Sequence, residues 1–213
     1  MGCKSARYLA ATVGFGIALA LSDTMKAIDA IGEVTLESAG AIEAANEKYE
    51  ALDSEKKEQV ENYGVLEEAN ERIAEVENEA ECIDVVESGL MSRFDLEAQD
   101  GGTFTGHASN SALGVQGEIS GLSQIGELEY GGEFKELLDE YTTSLKNQSE
   151  GLAAYPSEPQ AYNAKYVKDG LPQQQKCIKA MIDKYGLAVD EAHEDALEAF
   201  LETRAAPIVP VGQ

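Results

Sequence analysis

Leu66-Glu-Glu-Ala-Asn-Glu-Arg-Ile-Ala-Glu-Val-Glu-Asn-Glu-Ala-Glu-Cys-Ile83 decides the fold. Its apolar residues Leu66, Ala69, Ile73, Val76, Ala80 and Ile83 recur at alternating steps of three and four. That spacing places one continuous seam on an α-helix and leaves the intervening glutamates in water. Leu90 and Phe94 extend the seam after an interruption at Glu87, so the pattern predicts a helix running to about Gln99. A helix with one apolar stripe needs partner helices to cover it. The rest of the chain is therefore expected to supply them.

Upstream, Met25, Ile28 and Ile31 fall on one helical face, and Gly32 weakens that helix before an extended connector at Val34-Thr-Leu36. Ser38 can cap a second helix from Ala39 to Leu52, with Ile42, Ala45, Tyr49 and Leu52 turned inward. Asp53 or Ser54 can cap a third segment, where Val60 and Tyr63 face in, and Gly64 marks a bend. The run Ile28-Asp-Ala-Ile-Gly-Glu-Val-Thr-Leu36, then Ala41-Ile42, Ala44-Ala45, Tyr49-Glu-Ala-Leu52, Lys56-Lys57, Val60, Asn62-Tyr63, Leu66 and Ala69 resembles the small helical repeats of bacterial cell-surface proteins known as FIVAR ("found in various architectures"). The resemblance covers residues 23 to about 76. It implies helices, export and a role as spacer or binding module, and it brings no catalytic residue. This chain carries a single copy and no sortase motif.

Downstream, nine of the 32 residues from 101 to 132 are glycine. Asp100 to Ser111 reads as a loop, and Val115, Ile119, Leu122 and Ile125 as a glycine-weakened helix or a small hairpin. Leu137, Leu138, Tyr141 and Leu145 mark a clear helix, Ala153 to Pro159 a connector, and Pro172 the first turn of a last helix running to about Thr203. The tail 205–213 holds Pro207 and Pro210 and is expected to fray. The fold class is thus all-α: an elongated helical bundle with long antiparallel helices and a Gly-rich central connector. Its organisation reads as a leader 1–20, a small helical module 21–78, a bundle 79–204 with the insert 101–132, and the tail.

The leader reading rests on Lys4 and Arg7 before the apolar run Tyr8 to Leu21, with small residues Ala18 and Ala20 suiting cleavage after Ala20. The run is shorter than the ~20 residues that cross a bilayer comfortably. Two other readings compete: a first core helix, or lipidation at Met1-Gly2-Cys3, which lacks the Ser or Thr expected at position 6. Cys82 and Cys177 remain after cleavage; they form one bridge in an oxidising compartment or stay two half-buried thiols beside apolar seams.

Charge narrows the function. Forty acidic residues face 16 basic ones, for a formal net charge of −24. Such a surface repels phosphate backbones and anionic lipid, which argues against nucleic-acid binding. Of the acids 29 are Glu, a good helix former, which points to solvated helix faces. Catalytic motifs are missing: there is no GxSxG, no GxxxxGK, no GxGxxG and no HExxH. His193 among Glu191, Glu194 and Asp195 invites a metal reading, but neighbours on a helix point apart, so a solvated face is preferred. The calcium-loop register fails from Asp95, where the sixth and twelfth positions hold Asp100 and Gly106. No cofactor or metal is therefore expected. Tyr155, Tyr162 and Tyr166 are the candidate contact patch beside Pro156 and Pro159; the competing reading has them plug the connector onto the bundle. The sequence as a whole reads as an exported, acidic, non-catalytic helical interaction or spacer protein, extracellular or at the cell surface. Its partner would be a protein or cell-wall glycan, with no membrane span in the mature chain and self-association through helices open. An intracellular acidic coiled-coil adaptor and a carboxylate-based helical hydrolase are the alternatives.

Overall fold

The computed structural model describes residues 19–99, 104–126 and 128–209, and these are helical with no strand among them. The leader assignment lies almost wholly outside the described residues. Contacts divide the chain into two compact units, Met1–Glu77 and Asn78–Gln213.

In the first unit, helix α1 covers 19–29. It stops where Gly32 takes φ +65°, a left-handed conformation that glycine adopts without Cβ strain. The Val34–Leu36 connector is shorter than expected, because Leu36–Ser38 closes a 3-10 turn with the Ser38 hydroxyl accepting from the Thr35 N–H at 3.1 Å. Helix α2 is Ala39–Glu50, and the one-turn α3 is Ser54–Lys57. Asp53 is the cap of α3: its carboxylate accepts from the Lys56 N–H at 3.0 Å. Helix α4, Tyr63–Glu97, begins here and carries the chain into the second unit. Ile28, Ile31, Ile42, Ala45, Leu52, Val60, Leu66 and Ala69 form a closed core. Burying each large aliphatic side chain contributes about 1.5–3 kcal/mol, which drives the closure of α1 and α2 on α4. Two polar clasps fix the register. Asn46 and Asn70 exchange amide hydrogen bonds at 2.7 and 3.1 Å, and Asn62 donates to the Met25 carbonyl and to Asp29.

The second unit comprises the remainder of α4, then α5 (Phe104–Gln124), α6 (Gly132–Ala154), α7 (Pro159–Tyr162), a π-helical stretch Asn163–Gly170, α8 (Leu171–Tyr185) and α9 (Glu194–Glu202). Helix α6 lies at the centre, packed on α5, α8 and the π-helical stretch. Close approach is possible because Gly151 faces the π-helical backbone: a Cβ there would stand 2.6 Å from the Tyr166 nitrogen. The core joins Cys82, Val86, Leu90 and Phe94 of α4 to Val115, Phe134, Tyr141, Leu145, Ile178 and Met181.

Three expectations are corrected here. The Gly-rich segment is a helix from Phe104 onward, not a loop to Ser111, because Ala108, Ser111 and Val115 bury a face against the bundle. The last helix is broken: Gly186, at φ +73°, ends α8, and the Leu187 N–H reaches back to the Met181 carbonyl at 3.2 Å. That is the glycine-terminated helix end in which a left-handed residue lets the next amide satisfy an orphan carbonyl. The tail through 209 is fastened, with Ala205 and Ile208 packed against the core. No helix among the described residues is long and apolar enough to cross a membrane.

Candidate functional site

Four helices of the second unit each turn one large polar side chain into the core. Arg93 comes from α4, Glu118 from α5, Gln148 from α6 and Gln174 from α8, and all four are buried, with Tyr141 beside them. Each occupies a place on an apolar stripe. Arg93 adjoins Leu90 and Phe94, Glu118 follows Val115, Gln148 lies between Leu145 and Leu152, and Gln174 between Leu171 and Ile178. Two glycines make room. A Cβ at Gly114 would stand 2.5 Å from Arg93 Cγ, and one at Gly89 would stand 3.0 Å from Glu118 Cγ.

The network is closed on itself. Arg93 donates from Nε to Glu97 at 2.8 Å, from Nη1 to Glu118 at 3.2 Å and to Gln174 Oε1 at 2.9 Å, and from Nη2 to Gln148 Oε1 at 3.3 Å. Gln148 Nε2 donates to Gln174 Oε1 at 2.7 Å, and Gln174 Nε2 donates to Glu118 Oε2 at 2.7 Å. The Tyr141 hydroxyl also donates to Glu118. Ser111 donates to Glu97 at 2.6 Å on the outer side. Both oxygens of Glu118 are thus engaged, and its side chain is 1% exposed. Burial pushes the Glu118 carboxyl above the usual carboxylate range, with the Arg93 guanidinium and the Tyr141 hydroxyl opposing. Burial also works against the charge on Arg93, but Glu118 and Glu97 outweigh it and hold the guanidinium protonated. Desolvating such a pair costs several kcal/mol per ion, and full hydrogen bonding is what offsets that cost. Chemically the arrangement fixes four helices in one register; a shift of any helix would strand a buried donor or acceptor.

Toward the surface, Arg93, Glu97, Phe94, His107, Tyr166 and Phe200 line a cavity of about 260 Å³ beneath α9. A second, of about 210 Å³, lies between His107, Leu152, Tyr162, Tyr166 and residues 203–206. The tyrosine ladder sits at this end. Tyr155 lies tilted against Tyr162 at 5.5 Å between ring centroids, and Tyr162 stacks on Tyr166 at 5.3 Å. The exposed contact patch is corrected: Tyr162 and Tyr166 are only 3% and 5% exposed, and Tyr155 is half-buried, so the three plug the connector onto the bundle. Burial raises the Tyr162 hydroxyl to about 12.

Cys82 and Cys177 are separate, buried thiols, which corrects the bridge reading. The Cys82 thiol donates to Tyr130 at 3.1 Å. Cys177 is raised to about 11, by burial first and then by the nearby Glu140 charge. His193 does not merely face water. Its ring nitrogens meet Asp190 and, at 3.2 Å, Asp95 of α4, and these hydrogen bonds raise its pKa. The described residues contain no group of three or more His, Cys, Asp or Glu side chains able to hold a metal ion.

The polar quartet escapes a reading of sequence alone because each member comes from a different helix. The available signal is a polar residue repeated in place of an apolar one on a stripe, as at Gln148 in Tyr141-Leu145-Gln148-Leu152. Comparison with family models, with curated proteins and with solved structures finds no match.

Proposed function

We propose that this chain is an exported, acidic, non-catalytic helical protein that serves as an interaction module or spacer at the bacterial cell surface. The observation that carries the reading is the separate core of the first unit. Ile28, Ile31, Ile42, Ala45, Leu52, Val60, Leu66 and Ala69 close on one another, and these are apolar positions of the surface-repeat pattern. A repeat of this type has to bury its own apolar face, and this one does so within a unit ending at Glu77. Among the described residues, the first side chain to join that core is Leu21, directly after the expected cleavage point. A net charge of −24 supports the same reading, since it keeps long helices soluble and apart.

The mechanism is presentation: the helices hold a contact face at a fixed geometry while the acidic exterior prevents collapse onto anionic surfaces. N-terminal sequencing of the native protein, recovered separately from cytoplasm, wall and medium, tests this. A mature chain beginning near Leu21 in the wall or medium is expected. A cytoplasmic chain retaining Met1 would overturn it and favour the intracellular adaptor.

A further inference from the structure

Residues 203–209 leave α9 outside any helix, and Thr203 at their start has φ −60° and ψ 137°. Those angles belong to the polyproline II region, which has three residues per turn. Ala205 and Ile208, three positions apart, pack inward, while Ala206, Pro207 and Val209 are exposed. The side-chain amide of Asn163 grips Ile208 on both sides, accepting from its N–H at 2.7 Å and donating to its carbonyl at 2.7 Å. Gln175 donates to the Thr203 carbonyl at 2.9 Å. These contacts read backbone, so they do not depend on the side chains carried. Beneath the segment lie Tyr162 and Tyr166. An aromatic-lined groove is the usual acceptor of polyproline II segments, whose preformed shape lowers the entropy lost on docking. Space remains: the cavity of about 210 Å³ lies under residues 203–206, where Ala205 is too small to fill it.

We propose that the groove formed by α5, α6, α7 and the π-helical stretch is a binding site for an extended peptide of the pattern apolar-x-Pro-apolar. The chain's own Ala205-Ala-Pro-Ile208 occupies it in cis. A partner peptide with a larger apolar residue in the place of Ala205 fits better than the resident segment. The site does not depend on where the chain is delivered, so a failed export test leaves it standing.

The probe is a fluorescein-labelled Thr-Arg-Leu-Ala-Pro-Ile-Val peptide, followed by fluorescence polarisation against the full chain. The cis segment competes at high effective concentration, so Ile208→Asp, which loosens it, is expected to strengthen binding at least about tenfold. Adding Asn163→Ala to that variant is expected to abolish it. Helical circular dichroism checks that each variant is folded, and Asn163→Asp, which keeps the shape but loses the donor, replaces the alanine change if helicity falls. Absence of saturable binding to the Ile208→Asp chain overturns the proposal. So does equal binding of a scrambled peptide, or binding indifferent to Asn163.

Discussion

Replacing Arg93 with methionine keeps most of the side-chain volume and removes the cation that pairs with Glu118. Among the described residues, Glu118 is then a carboxylate at 1% exposure with Tyr141 and Gln174 as its donors; Gln148 Oε1 loses its donor, while Gln174 Oε1 keeps the one from Gln148 Nε2. Removing one partner of a buried ion pair costs about 3–5 kcal/mol. The guanidinium also lies 5.1 Å from the Phe200 ring, a contact whose loss adds about 0.5–1 kcal/mol. With a urea m-value of about 2 kcal/mol/M, the unfolding midpoint is expected to fall by about 1.8–3 M. Circular dichroism measures that midpoint, and amide hydrogen exchange in α5 and α6 assigns the loss to the second unit. Glu118→Gln added to Arg93→Met removes the stranded charge and is expected to recover at least about 1 kcal/mol, although it costs stability alone. The deficit of the single variant is expected to shrink as pH falls. A carboxyl whose folded pKa is raised contributes stability below its unfolded value of about 4.5, and that contribution is lost as pH rises through the folded value. A midpoint drop below about 0.5 M refutes the reasoning, as does further destabilisation by Glu118→Gln in the Arg93→Met background.

Gly151→Ala gains up to about 1 kcal/mol of helix propensity but drives a methyl to 2.6 Å from the Tyr166 backbone, so a net loss of about 1–3 kcal/mol in thermal or urea unfolding is expected. Gly117→Ala is the control on α5: its Cβ meets nothing within 4 Å, and the same assay should show a gain of about 0.5–1 kcal/mol. His193→Gln is expected to destabilise the chain at about pH 6, because a histidine with raised folded pKa gives its full contribution below the unfolded value of 6.5. The difference from the parent chain should fade as pH rises through the shifted pKa, and a pH-independent difference in midpoint would show that the pairs to Asp190 and Asp95 carry no linkage.

Local pattern settled much of the architecture. The three-and-four spacing from Leu66 to Ile83 specifies a long helix, since 3.6 residues per turn keeps those side chains on one face wherever the chain goes. Asp53 and Pro172 marked helix starts for equally local reasons, an accepting side chain and a missing N–H. Gly186 carried a stop signal of the same kind, obscured by the apolar residues on both sides of it. The excess of glutamate announced solvated helix faces. Tertiary packing alone decided which polar residues leave water. Arg93, Glu118, Gln148 and Gln174 lie up to 81 positions apart. A polar side chain can enter a core only when its partners arrive from other helices, and no local period records that arrangement. The docking of residues 203–209 has the same origin: a proline-marked tail reads as loose until Asn163 and the tyrosines are folded beneath it.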